Sequence, residues 1–320
     1  MGKQRFEPSL SLVAPVYIVF DEFDRVTLCP NGSSMQLVEC SNIIDHRVNP
    51  GGYYLLAELK GVLSERQQLE YWQCAAVFDK CFNMAKQNDL SESEKLYEQC
   101  MAIMKNLEPV LLDWLVAFFG QRLCYFLYKS NRYSEGIELT SRIIKVVELI
   151  NLNGYKYMFF VGIQQKLNLA RIYFQMNESS KAISLCSGCM KEMYRKPGSF
   201  ETKRMCGAVS EQELLEITQY GMTVEVLSET SRRILQYFKG DSLEMERLVL
   251  QFIKPLASLN FSSLLPEPRY ENIDRFISIM AGLCRFKDLL DEDILYFMDN
   301  KNADRKLINV LHGYIQLAEA

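Results

Sequence analysis

Leu123-Cys124-Tyr125-Phe126-Leu127 and Asn168-Leu169-Ala170-Arg171-Ile172-Tyr173 are two versions of one helix face, and each leads into a second helix after a short polar break. The first break is Ser130-Asn131-Arg132, resuming at Tyr133-Ser134-Glu135-Gly136-Ile137-Glu138-Leu139. The second is Asn177-Glu178-Ser179-Ser180, resuming at Lys181-Ala182-Ile183-Ser184-Leu185-Cys186. From Gln121 to Cys189, small and large residues recur in the same order. Ordered recurrence at long spacing marks a helical repeat, in which each helix pair buries its apolar face against the next. The pattern speaks for a binding scaffold without naming what is bound.

Outward from this core the chain stays helical from Ser64 onward. Ser64 with Gln67, Ser91 with Glu94 and Ser210 with Glu213 have the spacing of a capping box, which satisfies orphaned N–H groups of a first turn. The stretch from Leu112 to Tyr128 is too apolar for a surface helix and should be covered on most sides. After Thr218 the period is lost, and helices are expected over 225–238, 243–254, 273–286, 293–298 and 305–317, with Pro255, Pro266 and Pro268 at the breaks. Residues 1–62 differ in kind. Val16-Tyr17-Ile18-Val19-Phe20, Arg25-Val26-Thr27-Leu28-Cys29 and Met35-Gln36-Leu37-Val38 read as short strands of a small antiparallel sheet or hairpins, and Asn49-Pro50-Gly51-Gly52 reads as a breaker. The expected division is a β-rich segment at 1–62, helical repeats at 63–195, and further helices at 196–320 that cap the stack.

The chain has 320 residues, with 36 basic and 40 acidic side chains for a net charge of -4 and no block of one sign. Neither nucleic acid nor an anionic membrane is favoured by that balance, so the expected partner is another protein or a peptide segment. Ten cysteines at irregular intervals, mostly inside apolar stretches, read as reduced, which points to the cytoplasm. Lys3 and Arg5 before an apolar run imitate a secretion signal. Pro15 interrupts that run and Asp21-Glu22 follows without a cleavage site, which reads against one. No stretch reaches the roughly 18 consecutive apolar residues of a membrane span.

The repeat resembles the tetratricopeptide family. Its first-helix small position falls on Cys81, Cys124 and Ala170, and its second-helix small position on Ser93, Gly136 and Ala182; Tyr97, Thr140 and Cys186 follow. The resemblance covers about residues 70 to 195. It departs from the family at Lys80, where an apolar residue is usual, at Thr140 and Cys186, which replace aromatics, and in period. The anchors lie 43 and 46 residues apart, against about 34 for the family. The resemblance implies an α-solenoid whose first helices line a concave groove. That groove would expose Phe78, Phe82 and Lys86, then Gln121, Arg122, Tyr125 and Lys129, then Gln164, Asn168, Arg171 and Gln175. Amides suit an extended backbone, Arg and Lys suit carboxylates, and aromatic rings anchor apolar side chains.

Chemistry is poorly supplied. His46 and His312 are the only histidines and neither sits in a motif, so common acid-base catalysis lacks its usual residue. Cys186-Ser187-Gly188-Cys189 has the spacing of a redox or zinc pair, but no second pair accompanies it and both thiols fall on helix-contact positions. Phosphate-binding, nucleophile-elbow and zinc-protease motifs are absent. The sequence therefore reads as a non-enzymatic scaffold or adaptor without cofactor or metal, binding a partner segment in the groove. The alternative is a transcriptional or signalling regulator whose repeats sense a ligand and whose N-terminal segment is the effector. On the groove reading, charge reversal at Arg122 or Arg171 weakens partner binding and leaves the fold intact.

Overall fold

The computed structural model describes residues 47, 49–194, 203–236, 242–259, 261, 268–282, 291–300 and 303–318. The chain is mainly α. Helices α1 (Pro50–Val62), α2 (Glu65–Lys86), α3 (Leu90–Asn106), α4 (Pro109–Lys129), α5 (Tyr133–Leu152), α6 (Met158–Gln175) and α7 (Ser179–Tyr194) come first. A small ladder of β1 (Met205–Cys206) and β2 (Val209–Ser210) follows, then α8 (Glu211–Leu235), α9 (Ser242–Ala257), α10 (Pro268–Gly282), α11 (Asp291–Met298) and α12 (Arg305–Ala318). The strands expected over 16–38 lie outside the described residues.

One turn is used three times. Asn88, Asn131 and Asn177 adopt the left-handed conformation, with φ of 62°, 60° and 61°, and stand 43 and 46 residues apart. Each closes the first helix of a pair with the same two backbone bonds. Asn131 N–H donates to Tyr128 C=O and Arg132 N–H to Leu127 C=O, as Asn88 does to Ala85 and Asp89 to Met84, and as Asn177 does to Phe174 and Glu178 to Tyr173. Asparagine tolerates this backbone because its short polar side chain lowers the penalty an ordinary L-residue meets there. Asn131→Gly is expected to be neutral or slightly stabilising in urea titration, and Asn131→Val to cost about 1–2 kcal/mol.

Within each pair the two helices meet at small residues. Cys81, Cys124 and Ala170 are buried, and so are Ser93, Gly136 and Ala182 twelve positions later. Ser93 Oγ donates to Cys81 C=O at 2.9 Å, which only close approach permits. The first helices then run side by side, offset by 43 positions between α2 and α4 and by 44 and 47 between α4 and α6. Asp79 pairs with Arg122 and Phe82 lies against Tyr125, both 43 positions on. Gln121 meets Gln165, and Tyr128 meets Gln175. Helix α4 sits among α2, α5 and α6, so almost every side chain from Leu111 to Tyr128 is buried. It is long and apolar enough to cross a membrane by length and composition, yet 83% of that window is buried inside the protein.

Several local expectations are corrected. Asn49-Pro50-Gly51-Gly52 opens a helix: Asn49 Oδ1 accepts the Gly52 N–H at 2.9 Å, and Pro50 occupies a first-turn position where no N–H is needed. Ser64 and Gln67 form the capping box as read. Ser91 lies inside α3, because Asp89, two residues earlier, accepts the Glu92 N–H. Ser210 caps a 25-residue helix, α8, that begins well before residue 225. Pro255 falls within α9 and does not end it. The described sheet is the β1–β2 ladder. Its turn needs Gly207, with φ of 61°, because a Cβ there would come within 2.9 Å of the Tyr53 hydroxyl oxygen.

Candidate functional site

Helix α8 touches α1, α6, α7, α9 and α12, and so covers the face of α6 that the groove reading left open. Its face toward α6 carries Glu225 and Glu229, four residues apart and both buried. Two carboxylates on one buried stripe demand cations. Arg171 of α6, 2% exposed, supplies one: its Nη2 donates to Glu225 at 3.1 Å and its Nε lies 3.5 Å from Glu229. Arg232 and Arg233 also reach Glu229, and Lys306 of α12 reaches Glu225.

Burial alone would lift the Glu229 carboxyl, but Arg171, Arg232 and Arg233 outweigh it and hold the group below its ordinary value of 4.5. The folded chain therefore binds fewer protons here than the unfolded chain. This contribution to stability is full above about pH 4.5 and is lost as pH falls through the lower folded value. Urea midpoints followed from about pH 7 to pH 3 are expected to fall in wild type, and Glu229→Gln should remove part of that fall.

The expected groove residues are placed as follows. Phe78, Phe82, Gln121, Arg122, Tyr125, Gln164, Asn168 and Arg171 are buried, which corrects their expected exposure. Phe82 packs edge-on to Tyr125 at 4.9 Å between ring centres. Arg122 is fully buried, paired with Asp79 and lying 4.1 Å over the Phe119 ring, so it joins α4 to α2 and faces no groove. Lys86 and Gln175 are exposed and Lys129 is half-buried; these three end α2, α6 and α4 at equivalent positions.

The buried amides form a chain. Arg171 Nη1 donates to Asn168 Oδ1 at 2.7 Å, Asn168 Nδ2 to Gln165 Oε1 at 3.3 Å, and Gln165 Nε2 to Gln121 Oε1 at 2.9 Å. This chain ends at a cavity of about 180 Å³ where α4, α6 and α8 meet beside Arg47 and Pro50. Gln121, Gln164, Gln165 and Thr218 form its polar wall; Phe118, Phe160, Val161 and Met222 are among its apolar lining.

A second polar cluster ties α1 to the ladder. Arg204 pairs with Glu58, and the Cys206 thiol lies 3.2 Å from Glu58 Oε1. Burial raises both the Glu58 carboxyl and the Cys206 thiol. A nucleophilic thiol needs the opposite shift. Cys186 and Cys189 are buried in α7 and not disulfide-bonded, and burial pushes the Cys186 thiol up to about 12. Among the described residues no group of three or more His, Cys, Asp or Glu is placed to hold a metal. His312 is exposed on α12, and His46 lies outside the described residues.

Sequence reasoning missed Glu225, Glu229, Thr218 and Gly221. The available signal was the spacing of Glu225 and Glu229 on a stripe shared with Met222 and Val226, which asks for a buried cation elsewhere in the chain. No protein-family model matches the chain, and no curated protein or solved structure does.

Proposed function

We propose that the protein is a non-enzymatic interaction scaffold of the cytoplasm, an α-solenoid of three tetratricopeptide-like helix pairs that holds a partner segment against its first helices. The observation that carries this reading is the threefold return of one asparagine turn and one pair of small contact residues at intervals of 43 and 46. Arrays of this kind act by presenting an extended surface, with curvature set by the stacking of pairs. Here the α6 part of that surface is covered by α8, whose carboxylates meet Arg171. An acidic amphipathic helix of a partner would use the same chemistry and take the place of α8. Lys86, Lys129 and Gln175, aligned at one end of the first helices, would make the earliest contacts.

The test is capture of partners from the native source, with a peptide of residues 211–235 as competitor. A partner released by the peptide, and held more strongly by Glu225→Gln/Glu229→Gln, supports the reading. A partner indifferent to excess peptide moves the interface off this face, and failure to capture any partner overturns the scaffold.

The second reading, a ligand-sensing regulator, is favoured by the cavity between α4, α6 and α8. A ligand there would touch the repeats and α8 together, so it could alter how firmly α8 is held.

A further inference from the structure

The amide chain has a fixed direction, and that direction specifies a ligand. Arg171 can only donate, so Asn168 Oδ1 must accept and Asn168 Nδ2 must donate onward to Gln165. Gln165 in turn donates to Gln121, whose own Nε2 donates to Phe118 C=O at 3.3 Å. Gln164 Nε2 donates to the same Asn168 Oδ1 at 3.4 Å. The remaining group of Gln164 is therefore an acceptor. Gln164 is 3% exposed, and its Oε1 has no hydrogen-bond partner among the described residues. Thr218 uses its hydroxyl hydrogen on the Tyr157 hydroxyl oxygen at 3.1 Å, so it offers no donor to Gln164. A buried carbonyl oxygen without a donor is unfavourable, and Gln164 borders a cavity whose other walls are largely apolar.

We propose that this cavity is a binding site for a small neutral amphiphile, a single-ring aromatic molecule carrying one N–H or O–H donor that bonds to Gln164 Oε1. Size fits the class: a cavity of about 150 Å³ accepts benzene, and this one is about 180 Å³. Charge fits as well. No Asp or Glu lines the cavity and its one charged lining residue is Arg47, so a cationic donor would find like charge and no counter-charge. The proposal rests on the cavity and the amide chain, and deepens the ligand-sensing reading without requiring the scaffold.

The test uses the full chain with phenol and pyrrole as donor probes and toluene as a ring of similar size without a donor, read by calorimetric titration and thermal shift. Phenol and pyrrole are expected to bind saturably, and toluene at least about tenfold more weakly, as loss of one hydrogen bond implies. Gln164→Leu should reverse that preference. Gly221 lines the cavity, and a Cβ there would meet nothing within 4 Å. Gly221→Leu should fold and abolish binding of every probe. Absence of saturable binding overturns the site. Equal affinity for phenol and toluene overturns the donor assignment, and binding that survives Gly221→Leu overturns the location. If Gln164→Leu does not fold, the phenol–toluene comparison in wild type still decides the donor and Gly221→Leu still decides the place.

Discussion

Arg171→Glu is expected to destabilise the protein severely and detach α8 from α6. The substitution removes the cation that lies 3.1 Å from Glu225 and 3.5 Å from Glu229 and puts a third carboxylate between them. Breaking a buried ion pair by removing one partner costs about 3–5 kcal/mol, and reversal adds repulsion to that loss. Set against a total stability of roughly 5–15 kcal/mol, this is a large fraction. Urea titration followed by circular dichroism reads it directly. The groove reading expected a folded variant with weakened partner binding; burial of Arg171 makes unfolding the primary effect. Arg171→Glu/Glu229→Arg, which restores opposite charges across the same gap, should recover part of the loss. A single variant within about 0.5 kcal/mol of wild type would place Arg171 at an ordinary surface site.

Phe119→Ala should cost about 3–5 kcal/mol, the range for a fully buried aromatic ring. The Phe119 ring meets Tyr71 edge-on at 5.7 Å and Trp72 at 6.3 Å, so it joins α4 to α2. The Arg122 guanidinium lies over it at 4.1 Å, so the deletion also strips a buried cation of its stacking face. Lys80, exposed on α2 where the tetratricopeptide pattern usually has an apolar residue, is the control, and Lys80→Ala should stay within about 0.5 kcal/mol. A small effect at Phe119 would mean that the two first helices do not share a core.

Local features were legible from the residues alone. Cys81 with Ser93, Cys124 with Gly136, and Ala170 with Ala182 were read as helix contacts, and all six are buried. The Ser64–Gln67 capping box and the covering of Leu112–Tyr128 were also recoverable, because each depends on near neighbours or on apolar content. Asn49-Pro50-Gly51-Gly52 misled because a helix start and a chain break use the same residues: a side-chain acceptor, a proline and small residues suit both. Ser91 misled because Asp89 offers a competing cap two residues earlier.

The candidate site was less legible for a different reason. Gln164, Asn168 and Arg171 were correctly grouped on one face of α6, but what covers that face comes from about 54 residues further along, through Glu225 and Glu229. Periodicity tells which residues share a face and says nothing about long-range partners. Polar residues on a helix face fit solvent, a foreign partner or a helix of the same chain equally well until charge is counted. Glu225 and Glu229 on an apolar stripe were the countable part; they are opposite in sign to Arg171, and each of them meets it.

A double-mutant cycle between Arg171→Met and Glu229→Gln, in urea at neutral pH, measures most directly whether α8 is held on α6 by this ion cluster. The predicted result is a coupling of about 1–3 kcal/mol, with the double variant less damaged than the sum of the single ones. Additive losses, with no coupling between the two positions, would contradict it.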